Sequence, residues 1–163
     1  MDSLRIREVQ AEDAAELCSF LNEIVRLGGT TSRREPMDVP DFTAKYVTAD
    51  NLISCFVAQT TEHQLIGFQC LHQAPNLPAN WGDISTFVKP GLTVRGTGTH
   101  LFRKTLGNAK KLRLESLNAT IRSYNTGGLA FYGKMGFIEY KRDVADPLPD
   151  GLPAEKVFKK RNV

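Results

Sequence analysis

The stretch that decides the fold is Thr93-Val94-Arg95-Gly96-Thr97-Gly98-Thr99-His100-Leu101-Phe102. It follows an apolar, β-branched run that ends at Val88, and it leads into a segment in which Leu101, Leu106 and Ala109 recur at helical spacing. This pattern predicts a strand that turns through two glycines into a helix. The first turn of such a helix leaves backbone N–H groups without partners, next to the positive end of the helix dipole. The stretch therefore predicts an anion-binding site.

The two glycines, Gly96 and Gly98, suit this role. A Cβ would hold a phosphate away from the backbone, and the turn can require a positive φ. Arg95 adds a positive charge to the same loop. The dinucleotide-binding motif does not fit, because Leu101 stands where its third glycine would be, and the glycine–lysine pair of a P-loop is absent. On these residues alone, an ordinary strand-to-helix turn is the alternative interpretation.

A second motif follows the next strand candidate, Leu117 to Arg122, and reads Asn125-Thr126-Gly127-Gly128-Leu129-Ala130-Phe131-Tyr132-Gly133-Lys134-Met135-Gly136-Phe137. Together the two segments resemble the acetyl-CoA-binding core of the GCN5-related N-acetyltransferases (GNAT). That family has a Gln/Arg-x-x-Gly-x-Gly/Ala loop before its central helix, and later an Asn, a short helix ending in Tyr, and a Gly-Phe. The matching residues are Gly96, Gly98, Asn125, Tyr132, Gly136 and Phe137. Thr93 departs from the usual Gln or Arg.

The resemblance implies acetyl-CoA as co-substrate. The pyrophosphate would lie on the backbone from Arg95 to Thr99, and the pantetheine arm would pair with the strand that ends at Val88. In this family the two parallel strands splay apart, here after Val88 and Leu117, and leave backbone groups free. The residues expected to bind the cofactor are Phe87, Val88, Arg95, Gly96, Thr97, Gly98, Thr99, His100 and Asn125. Asn125 also fits as the N-cap of the following helix.

Tyr132 corresponds to the general acid of the resembled family. A phenol with a pKa of about 10 can give a proton to a departing thiolate without being ionised at neutral pH. The alternative is a core tyrosine on a short amphipathic helix, next to Leu129 and Phe131.

Asp83 is the residue we predict as the general base. It precedes Val88-Lys89-Pro90 with the spacing at which acetyltransferases resembling phosphinothricin acetyltransferase carry a glutamate ahead of Val-x-Pro. Aspartate is one methylene shorter, so we expect it to reach the amine through a water. His72 is the competing base, since histidine side chains titrate at about pH 6.5, although an edge histidine without a catalytic role is the favoured interpretation.

The polar loop from Thr30 to Val39 lies where the resembled family commonly covers the acceptor site. Its run of Thr30-Thr31 and Glu35-Pro36 resembles the acceptor-side segment of phosphinothricin-type enzymes, which acetylate an amino-acid-like amine. Arg33, Arg34 and Glu35 are candidates for contacting a charged acceptor, and the site prediction names Arg34 and Glu35. A solvent-facing loop without a ligand is the alternative.

Composition agrees with one domain over residues 1–163. The net charge of +3 is small and its cations are spread, so nucleic acid is not expected as an obligatory partner. Three distant cysteines predict reduced thiols in the cytoplasm, and neither cysteines nor histidines have the spacing of a metal site. Charges interrupt the amino terminus and no long apolar run follows, so we expect neither a signal peptide nor a membrane span.

The predicted order of elements is strand, two helices, three strands, helix, strand, helix and two strands. This order indicates an α/β fold with a mixed sheet and helices on its faces, and it matches the resembled fold. The expected activity is transfer of an acetyl group from acetyl-CoA to a small primary amine in a ternary complex. A protein or peptide N-acetyltransferase and a catalytically silent acyl-CoA-binding module are the alternatives. The oligomeric state is open, with a homodimer as one option.

Overall fold

The structure, a computed structural model, describes residues 3–31, 33–91, 94–144 and 146–163. Thr93, the position that departs from the family's glycine-loop pattern, lies outside the described residues. The helices are α1 (Ala14–Leu27, after a 3-10 turn at Ala11–Asp13), α2 (Val39–Tyr46), α3 (Thr97–Lys111) and α4 (Thr126–Lys134). The strands are β1 (Arg5–Glu8), β2 (Leu52–Gln59), β3 (Leu65–His72), β4 (Trp81–Val88), β5 (Ser116–Arg122), β6 (Ile138–Asp143) and β7 (Lys156–Asn162).

The strands form one seven-stranded sheet in the order β1-β2-β3-β4-β5-β7-β6. Strands β1 to β4 are antiparallel neighbours, and β5, β7 and β6 form a second antiparallel group. The two groups meet at β4 and β5, which run parallel and pair only at Trp81–Ser116, Gly82–Leu117 and Asp83–Asn118. Beyond Asp83 and Asn118 the two strands separate, and this separation opens a cleft in the middle of the sheet.

Helices cover both faces of the sheet because each strand alternates its side chains between the two sides. On one face, α1 and α2 bury Leu17 and Phe42 against Phe68 of β3. On the other face, α3 and α4 bury Phe102 and Tyr132 against β4 and β5. The cleft therefore has a different pair of helices above and below it.

Local sequence signals explain where the helices begin and end. Asp38 accepts a hydrogen bond from the Asp41 N–H and thus caps α2, as expected of an aspartate at this position. Gly28, with a φ of 67°, ends α1. Asn125 caps α4 by accepting from the Gly128 N–H at 2.9 Å. The Asn125 cap was expected from the sequence.

The element order and the mixed sheet confirm the predicted fold class. The splaying of the parallel pair is also confirmed, but it begins earlier along β4 than expected. Pairing stops at Asp83 instead of continuing to Val88, so residues 84–88 have no partner strand on the β5 side. A longer stretch of backbone is therefore free to contact a ligand.

Candidate functional site

A cleft of about 880 Å³ lies where β4 and β5 separate. Its cofactor-side end is formed by the amino-terminal end of α3, including Gly96, Gly98 and Thr99. The opposite end is formed by the end of α1, the loop after it and α2. The predicted catalytic residues Asp83 and Tyr132 both line the space between these ends. Phe87, Val88 and Asn125, expected to bind the cofactor, line it as well.

The glycine loop has the conformation that the sequence suggested. Gly96 is the N-cap of α3 and has a φ of 81°, in the left-handed region that favours glycine. No backbone acceptor among the described residues pairs with the N–H groups of Thr97, Gly98 and Thr99, as expected for a first helical turn. The Arg95 side chain is exposed beside them. This end of the cleft can bind an anion.

The requirement for glycine at position 98 has another cause than the one expected. A Cβ there would come within 2.9 Å of the Phe131 ring on α4. The absent side chain thus allows α3 and α4 to approach each other, whatever ligand binds nearby. Three predicted cofactor-binding residues of the stretch do not line the cleft, namely Arg95, Thr97 and His100. Thr97 is buried and its hydroxyl donates to the Val94 carbonyl, and the His100 imidazole hydrogen-bonds the Gly96 carbonyl at 2.7 Å.

Tyr132 is a buried residue of α4 whose hydroxyl lies 2.8 Å from the Thr86 hydroxyl of β4. Gln69 of β3 donates to the same Thr86 oxygen at 2.9 Å. Thr86 can therefore donate its own proton to the phenol oxygen, which leaves the phenol O–H free for another acceptor. Burial raises the pKa of Tyr132 above its ordinary value, against a smaller opposite effect of the Thr86 hydrogen bond. The phenol is thus a proton donor throughout the neutral range.

Asp83 is a half-buried carboxylate of β4 on the face covered by α1 and α2. Burial raises the pKa of Asp83, although a hydrogen bond from Asn118 and the charges of His72 and Lys45 act against this. A carboxylate with a raised pKa accepts a proton more readily than an exposed one. Asp83 therefore has the position and the chemistry of a general base.

His72, the competing base, is engaged elsewhere. Its Nε2 lies 2.8 Å from the Lys45 carbonyl oxygen, which can only accept, so Nε2 donates. Among the described residues that line the cleft, Asp83 is present and His72 is not. The geometry favours Asp83 over His72.

The loop after α1 crosses the cleft and contacts the segment before α4. The Asn125 amide donates to the Thr30 carbonyl at 3.1 Å, and the Tyr124 hydroxyl donates to the Thr31 carbonyl at 3.4 Å. Asn125 thus uses its amide for the helix cap and for this loop at once. These contacts cover the cleft on the side away from α3.

The cations that line the cleft at its α2 end do not include the Arg34 named in the site prediction. Arg34 forms an ion pair with Asp150 and, like Glu35, is exposed and does not line the cleft. Arg33 and Lys45 do line it. Partial burial and the nearby charge of Arg33 lower the pKa of Lys45. Alternation along the loop could have suggested that only one of the neighbouring arginines faces inward, but it could not show which one.

Two residues that sequence reasoning did not single out lie next to Asp83. Asn118 of β5 donates to the Asp83 carboxylate at 2.8 Å, and the Tyr140 hydroxyl of β6 donates to Asn118 at 2.5 Å. Both residues lie in strands, and the sequence pattern of a strand predicts only whether a side chain is buried or exposed. No sequence signal distinguishes them from ordinary strand residues.

Two negative findings concern the described residues only. No group of three or more His, Cys, Asp or Glu side chains in these ranges is arranged to hold a metal ion. None of the helices in the same ranges combines the length and the hydrophobicity that crossing a membrane requires.

The structure combines a sheet with a central cleft, a glycine-capped helix at one end of the cleft, and a phenol and a carboxylate that line it. The family model for the acetyltransferase (GNAT) family matches residues 18–137. The chain belongs to this acetyltransferase family, which confirms the resemblance seen in the sequence. A search of curated proteins found no significant match.

Solved structures agree on the fold. The chain is similar to an N-acetyltransferase from Staphylococcus aureus Mu50, with 16% identity, a TM-score of 0.87 and 98% of each chain covered. It is similar to ribosomal-protein-alanine N-acetyltransferase from Brucella melitensis, with 18% identity, a TM-score of 0.85, and 98% of this chain and 99% of that chain covered. A phosphinothricin acetyltransferase from Sinorhizobium meliloti in complex with acetyl-CoA has 19% identity and a TM-score of 0.87, with 98% and 88% covered.

Proposed function

We propose that the protein transfers an acetyl group from acetyl-CoA to the primary amine of a small, amino-acid-like molecule. The observation that carries this proposal is that one cleft contains an anion-binding helix end, a protonated phenol and a carboxylate with a raised pKa. These are the groups that acetyl transfer from a thioester to an amine needs. The proposal treats residues 1–163 as one catalytic domain of a cytoplasmic enzyme.

At the cofactor end, the first turn of α3 would hold the pyrophosphate of acetyl-CoA. The donors are the N–H groups of Gly98 and Thr99, which have no backbone partner among the described residues, and the exposed Arg95 supplies a compensating charge. The pantetheine arm carries amide groups that can pair with the free edge of β4, in the manner of an added strand. Residues 84–88 offer that edge because β5 has moved away from them.

At the reacting centre, the amine attacks the thioester carbonyl carbon. Asp83 accepts a proton from the attacking nitrogen, directly or through a water. As the C–S bond of the tetrahedral intermediate breaks, the thiolate receives a proton from Tyr132. The products are the N-acetylated amine and free coenzyme A, and Thr86 is placed to hydrogen-bond the phenol during this transfer.

At the acceptor end, Arg33 and Lys45 suit the carboxylate of an amino-acid-like acceptor. Neither side chain forms an ion pair within the described residues. Both line the cleft, and among the described residues that line it, Asp83 is the one carboxylate. An anionic acceptor would satisfy both cations. Arg34 and Glu35, named from the sequence, remain a second candidate pair, although Arg34 is bound to Asp150.

A small acceptor is favoured over a protein or peptide because of the loop after α1. Its carbonyl groups at Thr30 and Thr31 are hydrogen-bonded to Asn125 and Tyr124 across the cleft. An extended peptide would need an open groove at this place. The similar structures do not choose between the two classes, since they include enzymes named for a ribosomal protein and for phosphinothricin.

Thermal-shift measurement with acetyl-CoA, followed by an amine panel, tests the proposal. The panel contains the twenty common L-amino acids, simple alkyl amines and lysine-containing peptides, and turnover is read as free thiol. We expect acetyl-CoA to raise the melting temperature and an amino acid to turn over. Turnover confined to peptides would contradict the small-acceptor proposal, and binding of acetyl-CoA without turnover of any amine would support the silent module.

A further inference from the structure

Three residues on three different strands form a hydrogen-bonded chain that ends at Asp83. The buried Asn118 amide donates through Nδ2 to Asp83 Oδ1 at 2.8 Å. The Tyr140 hydroxyl donates to Asn118 Oδ1 at 2.5 Å. Strand β7 lies between the strands of Asn118 and Tyr140, so the Tyr140 side chain reaches across a neighbouring strand.

Strand β6 is irregular at Tyr140, the residue whose side chain extends across β7. The register between β6 and β7 shifts between Glu139 and Lys141, so Tyr140 is the extra residue at this point. Such bulges redirect a side chain from the regular alternation of a strand. The Tyr140 ring packs against Trp81 of β4 at 6.0 Å between centroids, two residues before Asp83. The bulge therefore brings a β6 residue to the central strand.

The Asn118 amide can adopt only one orientation in this network. An ionised carboxylate accepts hydrogen bonds and donates none, so the NH2 group must face Asp83. The carbonyl oxygen then faces Tyr140, whose hydroxyl donates to it. The second N–H of the amide donates to the Thr120 hydroxyl at 3.1 Å. Every polar atom of the buried amide has a partner, which holds it in place.

The network occupies one oxygen of Asp83 and leaves the other. Oδ1 accepts from Asn118, whereas no described residue donates to Oδ2. Asp83 lines the cleft, so Oδ2 is the atom available to an amine or to a bridging water. A hydrogen bond to the ionised carboxyl also favours that form over the protonated one.

We propose that Asn118 and Tyr140 are positioning residues that orient the Asp83 carboxylate for proton transfer from the acceptor amine. This inference rests on the proposed role of Asp83 as the general base. Asn118 acts directly on Asp83, and Tyr140 acts through Asn118.

The other groups near Asp83 set the background against which a pH effect is read. Lys45 of α2 and His72 of β3 lie near Asp83 on its own face of the sheet, and Tyr132 of α4 lies on the opposite face of β4. Lys160 of β7 places its ammonium group 5.7 Å from the Tyr140 ring centre and 5.6 Å from the Trp81 ring centre. None of these groups is removed by the variants below.

Asn118→Leu and Tyr140→Phe test the proposal in the full chain. Carbon-13 NMR titration of the aspartate carboxyl groups follows Asp83 without an acceptor, and Asp83→Asn identifies its signal. We expect both variants to move the titration of Asp83 to higher pH, with the larger effect for Asn118→Leu. With the best amino acid of the panel, kcat/KM at pH 7 falls by about tenfold or more for Asn118→Leu, while the Kd for acetyl-CoA is unchanged.

Trp81→Phe is the control, because it changes the packing around Tyr140 and retains its hydroxyl; it leaves the titration in place. Should Asn118→Leu fail to fold, Tyr140→Phe still decides, since Tyr140 is partly exposed and loses a single oxygen. If the titration of Asp83 is unchanged in both Asn118→Leu and Tyr140→Phe, the positioning role is wrong. If Asp83→Asn keeps the ascending limb of kcat/KM, the base assignment fails and the positioning role with it. If Asp83→Asn removes that limb, but neither Asn118→Leu nor Tyr140→Phe shifts it, the positioning role alone fails.

Discussion

The Tyr132 hydroxyl lies 2.8 Å from the Thr86 hydroxyl, on the face of β4 opposite to the Asp83 side chain. Alternation along the strand places Asp83 and Thr86, three residues apart, on opposite faces. The proposed acid and the proposed base therefore lie on two sides of the same strand. In the proposed reaction, Asp83 would take a proton from the amine and Tyr132 would give one to the thiolate without the two side chains contacting each other.

Tyr132→Phe should lower kcat with little change in the Kd for acetyl-CoA. The variant keeps the ring that packs against Phe131 and Phe137 and removes only the proton donor. Loss of general acid catalysis typically costs about 10²- to 10⁴-fold. Steady-state kinetics and calorimetric titration with acetyl-CoA separate the two effects. A variant with normal kcat and weakened cofactor binding would assign Tyr132 to binding.

Asp83→Asn should abolish the ascending limb in the pH profile of kcat/KM. A general base works only when deprotonated, so activity falls as the pH drops through its pKa. Because burial raises the pKa of Asp83, this limb lies above the range of an ordinary aspartate. Asp50→Asn is the matched control, since Asp50 is exposed in the turn before β2. Retention of the limb in Asp83→Asn would point to His72 or to a water.

Gly98→Ala and Gly107→Ala should change the stability of the protein in opposite directions, although both lie in α3. A Cβ at Gly98 would meet the Phe131 ring at 2.9 Å, and overpacking of this kind costs about 1–3 kcal/mol. A Cβ at Gly107 has no neighbour within 4 Å. Alanine there should stabilise the helix by about 0.5–1 kcal/mol. Urea unfolding of both variants measures the difference, and equal effects would show that α4 does not pack against Gly98 as described.

Arg33→Ala and Lys45→Ala should raise the KM for an anionic acceptor, whereas Arg34→Ala should not. A hydrogen bond to a charged group contributes about 1.5–3 kcal/mol, which corresponds to about tenfold to hundredfold in KM. Arg34 is held by Asp150 outside the cleft. The KM for acetyl-CoA serves as the internal control. A larger effect of Arg34→Ala would return the acceptor site to the pair named from the sequence.

The sequence predicted those features that depend on neighbouring residues in the chain. Helix periodicity, the Asn125 cap and the positive φ at Gly96 follow from local chemistry. Features that depend on distant contacts were not predictable. The sequence could not show that Arg34 pairs with Asp150, so it could not tell which of two adjacent arginines enters the cleft. It also gave no sign that Phe131 would fill the space above Gly98.

The network around Asp83 was hidden for the same reason. Asn118 and Tyr140 lie in strands separated by a third, and the bulge that redirects Tyr140 has no local signature. The place where β4 and β5 separate depends on how the two strands twist relative to each other. The alternation of side chains along each strand does not encode this twist. The sequence predicted the helices, the strands and the candidate reactive residues. The structure was needed to find the residues that hydrogen-bond to them.

Only three residue pairs join β4 to β5, although both strands are longer. The antiparallel groups on either side thus have few backbone hydrogen bonds in common. A molecule bound between the groups adds contacts to both and is released when either group unfolds. Binding and cooperative unfolding are therefore thermodynamically linked in this protein, and saturation with the cofactor should raise the temperature at which the sheet unfolds.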